Sequence, residues 1–440
     1  MKKNIGKILG TGLLVVLLFS GCEQVDQEPL PQEEPVEPAY SLSTPVELTG
    51  LRLDGRGLLI RTDNAEYGNQ LFPVELLDLL DHGHQPEEIR ETPEGLVRFV
   101  WKGHPVELEP GTGWYALDEE LREAPGPSFW TGGQLVLHGE LLAALDEHLD
   151  WVDGGLLLRT PVPPQARPQE ITALAFWEQP GIQMLINRDH PIPAELDGIE
   201  LINLNRTYPD MRYLRESMLL NEEAATDLAA MVREAENSPG VDRMLLVSTY
   251  RSYNYQREVL NRRIARFMNE QGYDRERATA EARRIVAVPG TSEHQSGLAV
   301  DFTSYELTGR GQTLTGAFYD TPEGAWLLEN SWRYGYILRY PADTEEITGI
   351  VEEAWHYRYV GRPHAGIITR ESLVLETYMA KLQEQQVLWT EEDDGSRYLV
   401  MYLDEELASK TMLDPERVGV SDSNEGGLIL TMVWADGRES

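Results

Sequence analysis

The run Pro289-Gly-Thr-Ser-Glu-His-Gln-Ser-Gly-Leu-Ala-Val-Asp-Phe-Thr303 constrains this chain more than any other stretch. His294 and Asp301 stand too far apart to share one helical turn. Gly297 lies between them, and Leu298 to Val300 form an apolar run ending on the aspartate. A loop leading into a strand brings both side chains to one point. In such a strand Asp301 shares a face with Ala299 and Gly297, whose small size leaves room for an ion and a substrate. Further on, Glu353-Ala-Trp-His356 sets a second histidine three positions after a glutamate. Two histidines and one carboxylate are the ligand set of a catalytic zinc site whose fourth position is open to water. The same set favours zinc over magnesium or calcium. Glu353 is then the candidate general base, taking a proton from a water that the metal has acidified. Arg251, in Tyr250-Arg-Ser252 just after an apolar strand, supplies a positive charge for a substrate carboxylate or a developing oxyanion.

Each residue also has a plainer reading when taken singly. A lone histidine near a strand is usually structural. An arginine after a strand often caps a helix or joins a salt bridge. Glu352 and Glu353 are adjacent acids in an acidic protein. Only the combination distinguishes a site.

The charge balance bears on partners. Lys and Arg total 38 against 74 Asp and Glu, a net charge of −36. Such a surface argues against nucleic acid and against docking on anionic lipid by charge. The single cysteine, Cys22, excludes an intramolecular disulfide. It follows a basic start, a short apolar segment from Ile8 to Phe19, and Ser20-Gly21. This resembles a bacterial lipoprotein box, departing from it at Phe19, where leucine is usual. The resemblance implies a signal peptide over 1–22, lipidation of Cys22, and an extracytoplasmic protein anchored in the bacterial cell membrane and facing the cell wall. The alternative is an ordinary signal peptide with an incidental cysteine.

Residues 23–45 are rich in Gln, Glu and Pro and read as a disordered tether. Residues 46–165 read as two strand–helix–hairpin units punctuated by glycine turns. They loosely resemble the small repeat domain at the N-terminus of copper amine oxidases, a domain that is not the copper site. His82 and His84 lack a third nearby ligand and read as surface loop histidines. In the third part, Asn221 caps a helix, Met244 to Ser248 is a buried strand, and Asp274 caps a further helix. A long helix runs from about Gln256 to Gln271, and another from Pro363 to about Glu384. Tyr336-Ile-Leu-Arg339 and Trp355 to Val360 read as strands. Helices and strands do not alternate one for one, so the fold class is α+β: a mixed or antiparallel sheet with flanking helices, preceded by a small β-rich repeat domain. Residues 385–440 read as a small β extension without chemistry of its own.

Taken in chain order, the motifs resemble the VanY-like D-alanyl-D-alanine carboxypeptidases, zinc peptidases of the bacterial cell wall. The family pattern Ser-x-His-x-x-Gly-x-Ala-x-Asp is met by Ser292 through Asp301. Glu-x-Trp-His is met by Glu353 through His356, followed by a family-like Tyr-Arg-Tyr-Val-Gly. Tyr-Arg-Ser with a glutamine beyond is met by Tyr250 to Ser252 and Gln256. Leu338 to Pro341 and Thr348-Gly349 also fit. The likeness covers about residues 182–384. It departs at Ala354, where proline is common, and at Thr249, often glycine; neither removes a chemical group.

The resemblance implies that His294, Asp301 and His356 hold Zn2+. It makes Glu353 the base and Arg251 a catalytic and substrate-binding residue, with Ser252, Gln256 and Ser292 near the substrate. The expected reaction trims terminal D-alanine from peptidoglycan stem peptides. An L,D-carboxypeptidase or wall-peptide endopeptidase on the same scaffold, and a non-catalytic zinc-binding wall module, are the rival readings. The sequence does not speak to oligomeric state.

Overall fold

A computed structural model describes residues 47–433 apart from 55–56, 64–70, 74–86, 93–94, 102–103, 124–127, 132–133, 146–148, 153–154, 160–170, 178–179, 194–195, 197–198, 242–243 and 415–417. Cys22, the tether, His82 and His84 therefore lie outside the described residues. The chain forms two compact units. No helix among the described residues is long and apolar enough to cross a membrane.

The unit that carries the motifs spans 176–384 and 420–430. Its centre is a five-stranded mixed sheet. In chain order the strands are β1 (Arg212–Tyr213), β2 (Met244–Ser248), β3 (Ala299–Ser304), β4 (Tyr336–Leu338) and β5 (His356–Tyr359). Across the sheet the order is β1-β2-β3-β5-β4. Only β1 and β2 run parallel; the other pairs are antiparallel. All six residues of β3 are buried, and period-two alternation sorts them by face. Val300 and Phe302 join Tyr357 and Tyr359 of β5 and Met244 and Leu246 of β2 in one apolar cluster. Helix α1 (Glu222–Asn237) covers that face with Leu228, Met231 and Val232. Each such buried side chain contributes about 1.5–3 kcal/mol. Asn221 caps α1, its Oδ1 accepting from the backbone N–H of Glu223 and Ala224. Ala299, Asp301, His356 and Arg358 occupy the opposite face, in register.

Helix α2 (Tyr253–Gln271) and α3 (Arg275–Arg283) pack through Leu260, Ile264, Ala278 and Ala282. Asp274 caps α3 as expected, accepting from Arg277 N–H. The expected helix over 363–384 is two helices, α4 (His364–Arg370) and α5 (Leu375–Gln385). The break falls where Ser372 takes φ +54°, a left-handed conformation that ends a right-handed helix. Segment 420–430 belongs to this unit: Leu185 N–H donates to Ser423 O, and Asn424 Nδ2 donates to Leu185 O.

The other unit takes in the described residues of 47–175, 385–419 and 431–433. Residues 134–159 form the strand, helix and hairpin that the sequence suggests. Strands Glu87–Glu91 through Glu120–Glu123 form a five-stranded antiparallel meander. The segment read as a separate extension supplies Thr411–Leu413, which pairs in parallel with Glu47–Asp54 and on its other side with Ile171–Thr172.

Candidate metal centre and cleft

The site forms on the polar face of β3 and β5. Asp301 in β3 stands opposite His356, the first residue of β5. His294 comes from a 3-10 turn, Glu293–Ser296, just before β3. Gly297 ends that turn at φ +71°, and a Cβ there would lie 2.5 Å from Leu201 Cδ2. The glycine thus turns the chain from His294 into β3 past Leu201. It lies outside the strand, which corrects the expectation that it shares a face with Asp301 and makes room for an ion.

Second contacts orient the two imidazoles. His294 Nδ1 lies 2.7 Å from Thr249 O, so Nδ1 carries the proton and Nε2 is a free donor atom. His356 Nε2 lies 3.4 Å from Glu293 Oε2, which turns Nδ1 toward Asp301. Asp301 Oδ1 sits 3.2 Å from His294 Nε2 and 3.0 Å from His356 Nδ1. Ligand atoms of the three residues all lie within 4.8 Å of one another, and all three side chains are buried. A buried carboxylate and two imidazole nitrogens converging in this way fit a zinc ion.

Glu353 donates its backbone N–H to Tyr340 O just before the turn at 354–355, and its Oε2 lies 3.8 Å from His356 Nδ1. Burial pushes its carboxyl up to about 8, against the pull of His356. Burial and the Arg251 charge lower His294 to about 4. Burial works against His356 as well, yet Asp301 and Glu293 raise it to about 9. Asp301 is held well below the carboxylate range despite burial, because His294 and Arg251 stabilise its charge.

Arg251 is more heavily engaged than the sequence suggests. Its Nη2 donates to Asp301 Oδ2 at 2.6 Å, its Nε to Ser248 Oγ at 2.8 Å, and its Nη1 to Gln256 Oε1 at 3.3 Å. A register shift near the end of β2 sets Ser248 opposite Asp301. Gln256 also donates from Nε2 to Ala287 O. Arg251, Gln256, Ser292, His294, Asp301, Glu353 and His356 all line one cleft of about 130 Å³. Ser252 does not line it. Its hydroxyl caps α2, accepting from Tyr255 N–H, which accounts for a serine at that place without a substrate.

Sequence reasoning missed a buried ionic layer beside the site. Glu293 Oε1 accepts from Arg339 Nε at 2.7 Å and from Arg358 Nη1 at 2.8 Å. Arg339 also forks onto Glu376 at 2.9 and 2.7 Å. Arg358 Nη2 donates to the carbonyls of Ile182 and Met184. Burial opposes ionisation of Glu293, but the two guanidiniums hold it well below its ordinary value. Tyr340 packs on the His356 ring, 5.0 Å between centroids. The only signal for this layer was two arginines inside strand-like runs.

Comparison with known proteins points to one family. The family model described as VanY, D-alanyl-D-alanine carboxypeptidase, matches residues 217–362. A D-alanyl-D-alanine carboxypeptidase of Enterococcus faecalis (strain ATCC 700802 / V583) is 38% identical over 220 residues, 48% of this chain and 72% of the relative. One from Enterococcus faecium is 30% identical over 269 residues, 60% and 79% of the two chains. Among solved structures, a vancomycin-resistance D,D-pentapeptidase VanY variant in complex with Zn(II) is 37% identical, covering 45% of this chain and 98% of that one, with a TM-score of 0.37. The LdcB LD-carboxypeptidase is 32% identical, covering 45% and 85%, with a TM-score of 0.38. With His294, Asp301, Glu353 and His356 all inside the matched span, the chain belongs to the VanY family of D-alanyl-D-alanine carboxypeptidases.

Proposed function

We propose that the protein is a zinc-dependent carboxypeptidase that removes the terminal D-alanine from peptidoglycan stem peptides. The observation that carries this reading is the convergence of His294 Nε2, His356 Nδ1 and Asp301 Oδ1, with Glu353 beside them on one cleft. His294, Asp301 and His356 would hold the ion, which supplies Lewis-acid chemistry when bound. Thr249 O and Glu293 Oε2 fix the imidazoles so that the ligand nitrogens point inward. Glu353 takes a proton from the attacking water on its carboxylate and returns it to the leaving amine. Arg251 holds Asp301 through Oδ2 and has five N–H donors, of which three go to Ser248, Gln256 and Asp301. The others are available to the substrate's carbonyl oxygen as it gains charge. Ser292 and Gln256 line the wall beside it.

The test is D-alanine release from a synthetic pentapeptide ending in D-Ala-D-Ala by the full chain. Release should stop on chelation and return with zinc, and Glu353→Gln should slow it by about 10²–10⁴-fold while zinc content is kept. Unchanged release in Glu353→Gln would overturn the assignment. Preference for a tetrapeptide would replace the D,D reading with an L,D one.

The place of action follows the same reading. Residues 1–22 serve as a lipoprotein signal and 23–45 as the tether, supported by the only cysteine standing directly after Ser20-Gly21. That puts the enzyme on the outer side of the cell membrane, beside its polymer. The segment 46–165 serves as a repeat domain like that of copper amine oxidases, supported by the strand–helix–hairpin at 134–159. Metabolic labelling with a fatty acid, lost in Cys22→Ser, tests the anchor.

A further inference from the structure

Gln256, Val259 and Arg263 recur at helical spacing on α2, and all three line the cleft. Gln256 marks the metal end of this stripe, through its contact with Arg251. Arg263 lies seven residues on, about 10 Å along the helix axis. It is half-buried, and among the described residues its guanidinium has no hydrogen bond or ion pair. This contrasts with Arg251, which is tied to Asp301, Ser248 and Gln256. Val259, Ile285, Leu314 and Ile350 supply apolar wall to the same cleft. A half-buried guanidinium has lost part of its solvent without gaining a hydrogen bond, a cost that an incoming anion relieves. Burial, and then the like charge of Arg266, lower its pKa, while Glu353 and Glu270 act in the opposite sense.

We propose that Arg263 is a specificity residue that binds a carboxylate carried by a substrate side chain upstream of the scissile bond. The inference rests on the peptidase reading above. The separation along α2 selects the side chain over the C-terminus. An extended chain advances about 3.3–3.6 Å per residue, so the terminal carboxylate stays within one residue of the ion. Arg263, whose backbone stands some 10 Å along α2 from Gln256 at the metal end, is placed to meet the second or third residue before the cut, together with its side chain. A diamino acid with a second carboxylate, set just before the D-Ala-D-Ala end, places an anion at that range.

The experiment measures KM and kcat of the full chain, loaded with zinc, on three pentapeptides ending in D-Ala-D-Ala. Their third residue is diaminopimelate, its side-chain carboxamide, or L-lysine. The wild type should prefer the free carboxylate. Arg263→Gln should raise KM about ten- to hundredfold on that peptide alone, leave kcat near its value, and erase the preference. Arg263→Lys should restore part of it. Equal KM values for wild type and Arg263→Gln overturn the proposal. So does an equal rise on all three peptides, which assigns the C-terminal carboxylate to Arg263 instead. A fall in kcat without a change in KM also overturns it. Cleavage of none of the three by the wild type sinks the peptidase reading itself, a different result from cleavage that ignores Arg263.

Discussion

Glu293 stands next to His294 of the candidate metal centre, yet its own work is electrostatic. It is 1% exposed and meets two guanidiniums that are themselves fully buried. Removing one member of such a cluster leaves an uncompensated buried charge, which costs about 3–5 kcal/mol. Glu293→Gln is therefore expected to lower unfolding free energy by that amount in a denaturant titration. A loss below about 1 kcal/mol, the scale of an exposed pair, would mean that the layer is held by packing instead. The candidate ligand cluster was legible in sequence because His294, Asp301 and His356 have few other reasons to share a glycine-broken motif and a Glu-x-x-His. Glu293, Arg339 and Arg358 were not, because a charged residue in a run reads as exposed unless its partner is known. Those partners lie 46 and 65 positions away. Ser252 is ambiguous in sequence for another reason: capping a helix and touching a substrate ask for the same hydroxyl after a turn.

At the level of elements, alternation in β3 and β5 was readable because both faces are filled, one by α1 and the other by the site. The helix pair α4 and α5 was merged in sequence because its break contains no glycine or proline; Ser372 takes the left-handed conformation instead. The two helices meet through His364, whose Nδ1 lies 2.6 Å from Tyr378 OH. Burial lowers His364 to about 3, from an ordinary value of 6.5. The unfolded chain therefore binds this proton more readily than the folded one. The histidine's contribution is fully present above about pH 6.5 and is lost progressively as pH falls toward about 3. Between about pH 7.5 and 5.0 the loss comes to about 2 kcal/mol. Urea titrations of wild type and His364→Phe should show it: the wild type loses that much more stability over the interval. Parallel pH dependence in the two proteins would show that His364 is already protonated in the fold.

On the scale of the whole molecule, sequence reading failed where the chain returns late to an early sheet. Nothing local to Thr411-Met-Leu413 names Glu47–Asp54 as its neighbour; the pairing spans 360 positions, from Leu51 to Thr411. Yet Thr411 and Leu413 are fully buried, and the strand is interior, between Glu47–Asp54 and Ile171–Thr172. An interior strand supplies hydrogen bonds on both edges, so its loss strips partners from two neighbours at once. Asp414 N–H also donates to Leu53 O, extending the ladder by one bond. A chain ending at residue 384 should therefore lose amide hydrogen-exchange protection at Leu51, Arg52 and Leu53, while Val300 and Phe302 in the other unit stay protected. It also lacks Ser421, Ser423 and Asn424, which bond residues 183, 185 and 190. Faster exchange should appear at Gln183 and Leu185, whose N–H groups donate to that segment. If residues 51–53 remain protected without 385–440, the late strand is a cover on a sheet that is stable without it. If they open, the tail is a structural member of the N-terminal unit, and a chain ending at residue 384 keeps that unit's residues without their fold.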